Sequence, residues 1–149
     1  MPLAQALRSC YWRIVKPTTL GVRAILTHDT AEVVLVQHSY ASGWYLPGGK
    51  VKRGEAIIDA LWRELREEVG LSAQPGPPTL LGLYASVQEA KRDHIAVFVV
   101  NAAPARGSGR LEVLRVKTFP LDGLPENVSP GTSRRLEEFR GNRPIDFTW

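Results

Sequence analysis

The sequence predicts an α/β fold built on a mixed sheet with helices on both faces. Three observations carry this expectation. Five stretches rich in β-branched and aliphatic residues have strand length. Two segments space their apolar residues by three and four, as helices do, and a third follows the cap residues Ser129 or Thr132. The order helix, strands, helix, strands, helix combines hairpin-length links with one helical crossover, which both-face coverage of a sheet requires.

Taken in order, Leu3 to Ile14 (LAQALRSCYWRI) places Leu3, Leu7 and Cys10 or Tyr11 on one side and ends before Pro17, so a short helix is expected within residues 1–16. TTLGVRAILTH and EVVLVQHS, separated by the turn-like DTA, read as two strands of a hairpin. Gly43 to Gly49 (GWYLPGG) is a loop with a brief extended piece. From about Gly54 to Val69 the apolar residues Ile58, Leu61, Trp62, Leu65 and Val69 form one stripe of a helix, and Gly70 supplies its stop. The rigid PGPP turn precedes the strand TLLGLYASVQ, the charged turn EAKRD and the strand HIAVFVVNA. A Gly-rich loop leads to a strand over Arg110 to Phe119. A closing helix is expected over 129–140, with Ser129 or Thr132 as its cap.

A length of 149 residues fits a single domain able to bury a core beneath both faces of a small sheet. Apolar residues make up 44% and charged residues 23%, which excludes disordered and collagen-like classes. The single cysteine, Cys10, has no internal disulfide partner and reads as a small buried hydrophobe. The N-terminal stretch interleaves Arg8, Arg13 and Lys16 with apolar residues and has no unbroken apolar run, so a cytoplasmic protein with no membrane partner is expected. A net charge of +4 favours anions. Its lysines and arginines are dispersed and lack a stacking array of aromatics, so no specific nucleic-acid binding is expected.

The chemistry concentrates in RELREEVGL, Arg63 to Leu71. At about 100° per residue, Glu64, Glu67 and Glu68 share one sector of the helix, to one flank of the apolar stripe, with Arg63 just beyond Glu67. Alone, such a face reads as a solvated surface laced with ion pairs. The preceding Pro47-Gly48-Gly49 adds a sharp bend with exposed carbonyls and no side chains to obstruct close approach. Carboxylates and a carbonyl converging on one point would make an all-oxygen site, suited to Mg²⁺, with Mn²⁺ as an alternative.

The stretch GKVKRGEAIIDALWRELREEVGL resembles the signature of the Nudix hydrolases, G-x5-E-x7-R-E-U-x-E-E-x-G-U. Gly49, Glu55, Arg63, Glu64, Leu65, Glu67, Glu68, Gly70 and Leu71 fill every specified position. The flanking strands and the downstream LEVLRVKTFPLDGLP extend the likeness from Thr18 to Pro125. The resemblance implies an α/β/α sandwich. It also implies that Glu67 and Glu68 are the principal metal ligands, that Glu64 is a further ligand or the base, that the Gly48 carbonyl is a backbone ligand, and that Glu55 pairs with Arg63. Glu112 is the candidate for a fourth carboxylate on a later strand, with Glu89 a solvated competitor.

The implied reaction is hydrolysis of a phosphoanhydride in a nucleoside diphosphate linked to another moiety, by water attack at phosphorus. The MutT-type enzymes are the most similar subgroup. Arg23, Lys50, Lys52 and Arg53 are candidate phosphate contacts, and Tyr40, Trp44 and Tyr45 could stack on a base or ribose. His28, His38 and His94 lack metal-ligand spacing and receive no role. The alternative function is a nucleotide sensor that binds without cleaving, against which the full set of Glu64, Glu67 and Glu68 argues. A homodimer is compatible with the sequence.

Overall fold

The computed structural model describes residues 18–29, 31–72, 75–88, 91–103 and 113–149. The expected N-terminal helix, Glu89 and Glu112 lie outside the described residues. The elements are β1 (Thr18–His28), β2 (Glu32–His38), β3 (Gly48–Lys50), α1 (Ile57–Val69), β4 (Thr79–Gln88), β5 (Lys91–Asn101), β6 (Val113–Pro120) and α2 (Pro130–Phe139). The strands form one mixed sheet in the order β4-β5-β1-β2-β6, with β3 attached to β1.

β1 is the axis of this sheet. It runs parallel to β5 from Thr18↔Arg92 to Thr27↔Asn101, a pairing that the α1 crossover makes available. The expected hairpin with β2 is present, but its printed register covers only Thr27↔Val33 and His28↔Glu32. Beyond that the two strands part, and the segment before α1 fills the gap. Gly21 to Arg23 pair with β3, Ala24 N–H donates to Pro47 O at 2.9 Å, and Val36 exchanges backbone bonds with Tyr45. The GWYLPGG loop is therefore wedged into the sheet rather than lying over it.

Strand alternation divides the core in two. Val22, Ala24, Leu26, Val34, Val36, Ala96 and Phe98 pack beneath Leu61, Leu65 and Val69 of α1. Ile25, Val33, Leu35, Val97, Phe119 and Tyr84 pack beneath Leu136 of α2 on the other face. Ser129 caps α2, its hydroxyl accepting from Thr132 N–H at 3.3 Å. β5 begins at Lys91, inside the stretch expected as a charged turn, and Lys91 pairs with Gln88 of β4.

Two features of α1 correct the sequence expectation. The helix begins at Ile57 rather than Gly54, and Ile58 is 38% exposed. Its buried residues are Ala60, Leu61, Trp62, Glu64, Leu65, Glu68 and Val69. The inward face is thus rotated toward the glutamates, by about half the 100° step of one residue. Two of the carboxylates lie beneath the helix, and the first-turn isoleucine moves to the rim.

Candidate active site

The site begins with two glycines. Gly48 has φ 144°, and a Cβ there would stand 2.1 Å from Val22 O, so only glycine fits against β1. A Cβ on Gly49 would stand 2.5 Å from the Glu64 carboxylate. The missing side chains let the backbone settle onto α1. Gly48 N–H donates to Glu68 Oε2 at 2.9 Å, a charge-assisted bond of the kind that contributes about 1.5–3 kcal/mol.

Glu64 and Glu68, one helical turn apart, are each only 3% exposed. Arg63 Nη1 lies 2.5 Å from Glu64 Oε1, and His38 Nε2 lies 3.9 Å from Glu68 Oε1. The Arg63 guanidinium also clamps Glu55 with two bonds, Nε to Oε1 at 2.7 Å and Nη2 to Oε2 at 2.9 Å, and donates to Lys50 O at 3.0 Å. Glu55 accepts Lys52 N–H at 2.8 Å as well. The Arg63 bond, followed by the Lys52 amide, holds the Glu55 carboxyl down to about 2. The same bond to Glu55 pushes the Arg63 pKa further up. The loop between β3 and α1 is thereby tied to the helix that carries the glutamates. Gly70 closes that helix at φ 69°, its N–H donating to Leu65 O.

The residues named from the sequence are placed as follows. Arg23, Tyr40, Gly48, Gly49, Lys50, Lys52, Arg63, Glu64 and Glu68 line one cleft of about 530 Å³. Tyr40 is 71% exposed at its mouth and stacks on His38 with ring centroids 5.0 Å apart. Arg23 Nη1 donates to Gly48 O at 2.8 Å, so the carbonyl expected to bind metal accepts from a guanidinium here. Glu67 is outside the lining, with its carboxylate 40% exposed and 3.7 Å from Arg63 Nη1. Trp44 turns into the opposite core, edge-on to Phe119 at 4.9 Å, because its neighbours Tyr45 and Leu46 are pinned by Val36 and Thr132. Arg53 is exposed and does not line the cleft.

Three residues of the site had been given no role from sequence. His38 is buried beside Glu68 at a bulge where β2 leaves its register with β6. Thr19 and Asp93 face each other across β1 and β5 at the far end of the cleft, joined by a Thr19 hydroxyl to Asp93 carboxylate hydrogen bond. Only the parallel pairing of β1 with β5, invisible in either strand alone, brings them there.

Among the described residues no three His, Cys, Asp or Glu side chains are already close enough together to hold an ion. The donor chemistry nevertheless fits a hard divalent cation. Arg63 sets one positive charge beside Glu64, and two buried carboxylates one turn apart accommodate a further, divalent one. Their oxygens are the ligands that Mg²⁺ and Mn²⁺ take.

Residues 17–139 match the model of the NUDIX domain. The human 8-oxo-dGDP phosphatase NUDT18 is 34% identical over 122 residues, covering 76% of this chain and 36% of that protein. The chain thus spans about a third of the length of the human and mouse NUDT18 proteins. The ADP-ribose pyrophosphatase of Methanocaldococcus jannaschii is 28% identical over 120 residues, covering 77% of this chain and 69% of that protein. The crystal structure of the MutT protein from Methanosarcina mazei superposes with a TM-score of 0.71 at 26% identity, covering 87% of this chain and 98% of that one.

Proposed function

The chain belongs to the Nudix family, and from that premise we propose that it is a metal-dependent hydrolase of a phosphoanhydride bond in a nucleoside diphosphate linked to another moiety. One observation carries the reading: Glu64 and Glu68 are buried together against a glycine bend that no other residue could form. The names of the similar proteins, a nucleoside diphosphate phosphatase and an ADP-ribose pyrophosphatase, support a nucleotide-linked substrate and leave its identity open.

Glu64, Glu67 and Glu68 are the residues that would hold Mg²⁺ or Mn²⁺. When bound, the ion neutralises phosphate charge and acidifies water. The chain's own groups do the rest. Arg23, Lys50 and Lys52 line the cleft with positive charge and grip phosphate oxygens. Arg63 holds Glu64 and the Glu55 loop in one orientation, so the carboxylates do not swing away from an approaching anion. One of the buried carboxylates takes the proton of the water aimed at phosphorus. His38 lies beside Glu68 on the β2 side, Nε2 3.9 Å from Oε1, and Gly48 N–H fixes the other carboxylate oxygen.

The test is phosphate or pyrophosphate release from a panel of nucleoside di- and triphosphates and nucleotide sugars, with and without Mg²⁺ or Mn²⁺. Metal-dependent turnover is expected, and Glu68→Gln is expected to lower kcat by about two orders of magnitude or more with the fold intact by circular dichroism. Nucleotide binding without turnover in either metal would instead make the chain a sensor.

A further inference from the structure

The cleft is not uniform in charge. At one end are Glu64, Glu68 and the glycine bend; along it stand Arg23, Lys50 and Lys52; at the other end is Asp93, its carboxylate held by the Thr19 hydroxyl. Strand register gives the span between the ends. Val22 pairs with Gly49 across one edge of β1 and Thr19 with Asp93 across the other, so the ends are offset by three residues along β1, about 10 Å, and by two interstrand spacings of about 4.8 Å across it. Thr19, Gly21 and Arg23 share the face of β1 turned away from α1, and Asp93 and Ile95 the matching face of β5, so the cleft leads from the glutamates of α1 past the glycine bend onto that face.

A phosphate lodged among the three cations leads the rest of the substrate toward Asp93. A carboxylate there repels another phosphate and accepts hydrogen bonds from a neutral donor. The Thr19 hydroxyl occupies only part of its acceptor capacity. Those offsets combine to about 14 Å, which a diphosphate followed directly by one sugar ring reaches across with a hydrogen bond at its far end. Resting on the reading of the site given above, we infer that Asp93 is a specificity-determining residue that accepts a hydrogen bond from a hydroxyl of the sugar attached to the substrate's diphosphate. The cleft thus selects a sugar-bearing end over a further phosphate in that direction.

The experiment compares guanosine diphosphate with its 2′-deoxy and 2′,3′-dideoxy forms, measuring KM and, by calorimetry, Kd, in the wild type, Asp93→Ala and Asp93→Asn. Stripping the hydroxyls is expected to weaken binding roughly tenfold in the wild type and less than about twofold in Asp93→Ala. Asp93→Asn, which keeps an acceptor oxygen, should fall between them. Inosine diphosphate, lacking the exocyclic amine, should behave in all three proteins as guanosine diphosphate does. Equal hydroxyl losses in wild type and Asp93→Ala, or a dependence on the amine instead, overturn the inference while leaving the hydrolase reading in place. Hydroxyl-dependent binding with no turnover in any metal overturns the hydrolase reading and leaves Asp93 its role. A wild type that binds none of the nucleotides overturns both.

Discussion

Gly49 shows how little room the site allows. A Cβ on residue 49 would stand 2.5 Å from the Glu64 carboxyl carbon, and Glu64 is itself held by Arg63. Gly49→Ala is therefore expected to push Glu64 off its position and lower kcat about 10- to 100-fold, with a modest change in denaturation midpoint. The Glu55–Arg63 clamp makes a second residue-scale prediction, visible in pH. Glu55 sits near 2 in the fold against 4.5 ordinarily, so its contribution to stability is fully present above pH 4.5 and is lost as pH falls toward 2. Urea midpoints measured from pH 5 down to 2 should fall less steeply in Glu55→Gln than in the wild type. An identical slope would show that the clamp does not couple to folding.

At the scale of elements, Gly70 ends α1 in the left-handed region, where any side chain is strained. Gly70→Ala is expected to cost about 1 kcal/mol by chemical denaturation. The longer strands were legible from their β-branched and aliphatic runs, α1 from its apolar period and α2 from its Ser129 cap, and the glutamates could be placed on one helix face from spacing alone. The burial of that face was not legible. A carboxylate is ordinarily a surface group, so spacing alone turns Ile58 inward and leaves Glu64 and Glu68 on the flank. The glycine bend reverses this order by bringing backbone against the helix at those two acids. Trp44, expected at the approach to the site, and His38, given no role, are placed as they are for a related reason. The wedge of the loop between β1 and β2 turns the indole into the far core and leaves the imidazole beside Glu68, and a single strand's sequence contains no sign of that wedge.

At the scale of the whole molecule, α2 is anchored to the sheet by charges buried far from the candidate active site. The Arg135 and Glu138 side chains are fully buried, with Nη2 to Oε1 at 2.9 Å. Glu138 also accepts the Tyr84 hydroxyl of β4 at 2.7 Å, and burial with this bond pushes the Tyr84 pKa up. Arg135 stacks over the Tyr84 ring, 3.9 Å from its centroid, and donates to Thr148 O at 2.8 Å. The segment after α2 is held in turn along the edge of β4, where Ala85 N–H donates to Phe147 O and Trp149 N–H to Ala85 O. That pairing covers backbone groups that an edge strand would otherwise expose. One helix, the edge strand and the returning segment therefore share a single ionic anchor, and removing half of it leaves the other half charged in an apolar core. Glu138→Ala is expected to destabilise the fold by about 3–5 kcal/mol, whereas Arg135→Met with Glu138→Leu, which removes both charges, should recover most of that loss. Equilibrium denaturation of the single and double variants makes the comparison. A double variant no more stable than Glu138→Ala would mean that the anchor works through its hydrogen bonds to Tyr84 and Thr148 rather than through compensation of charge.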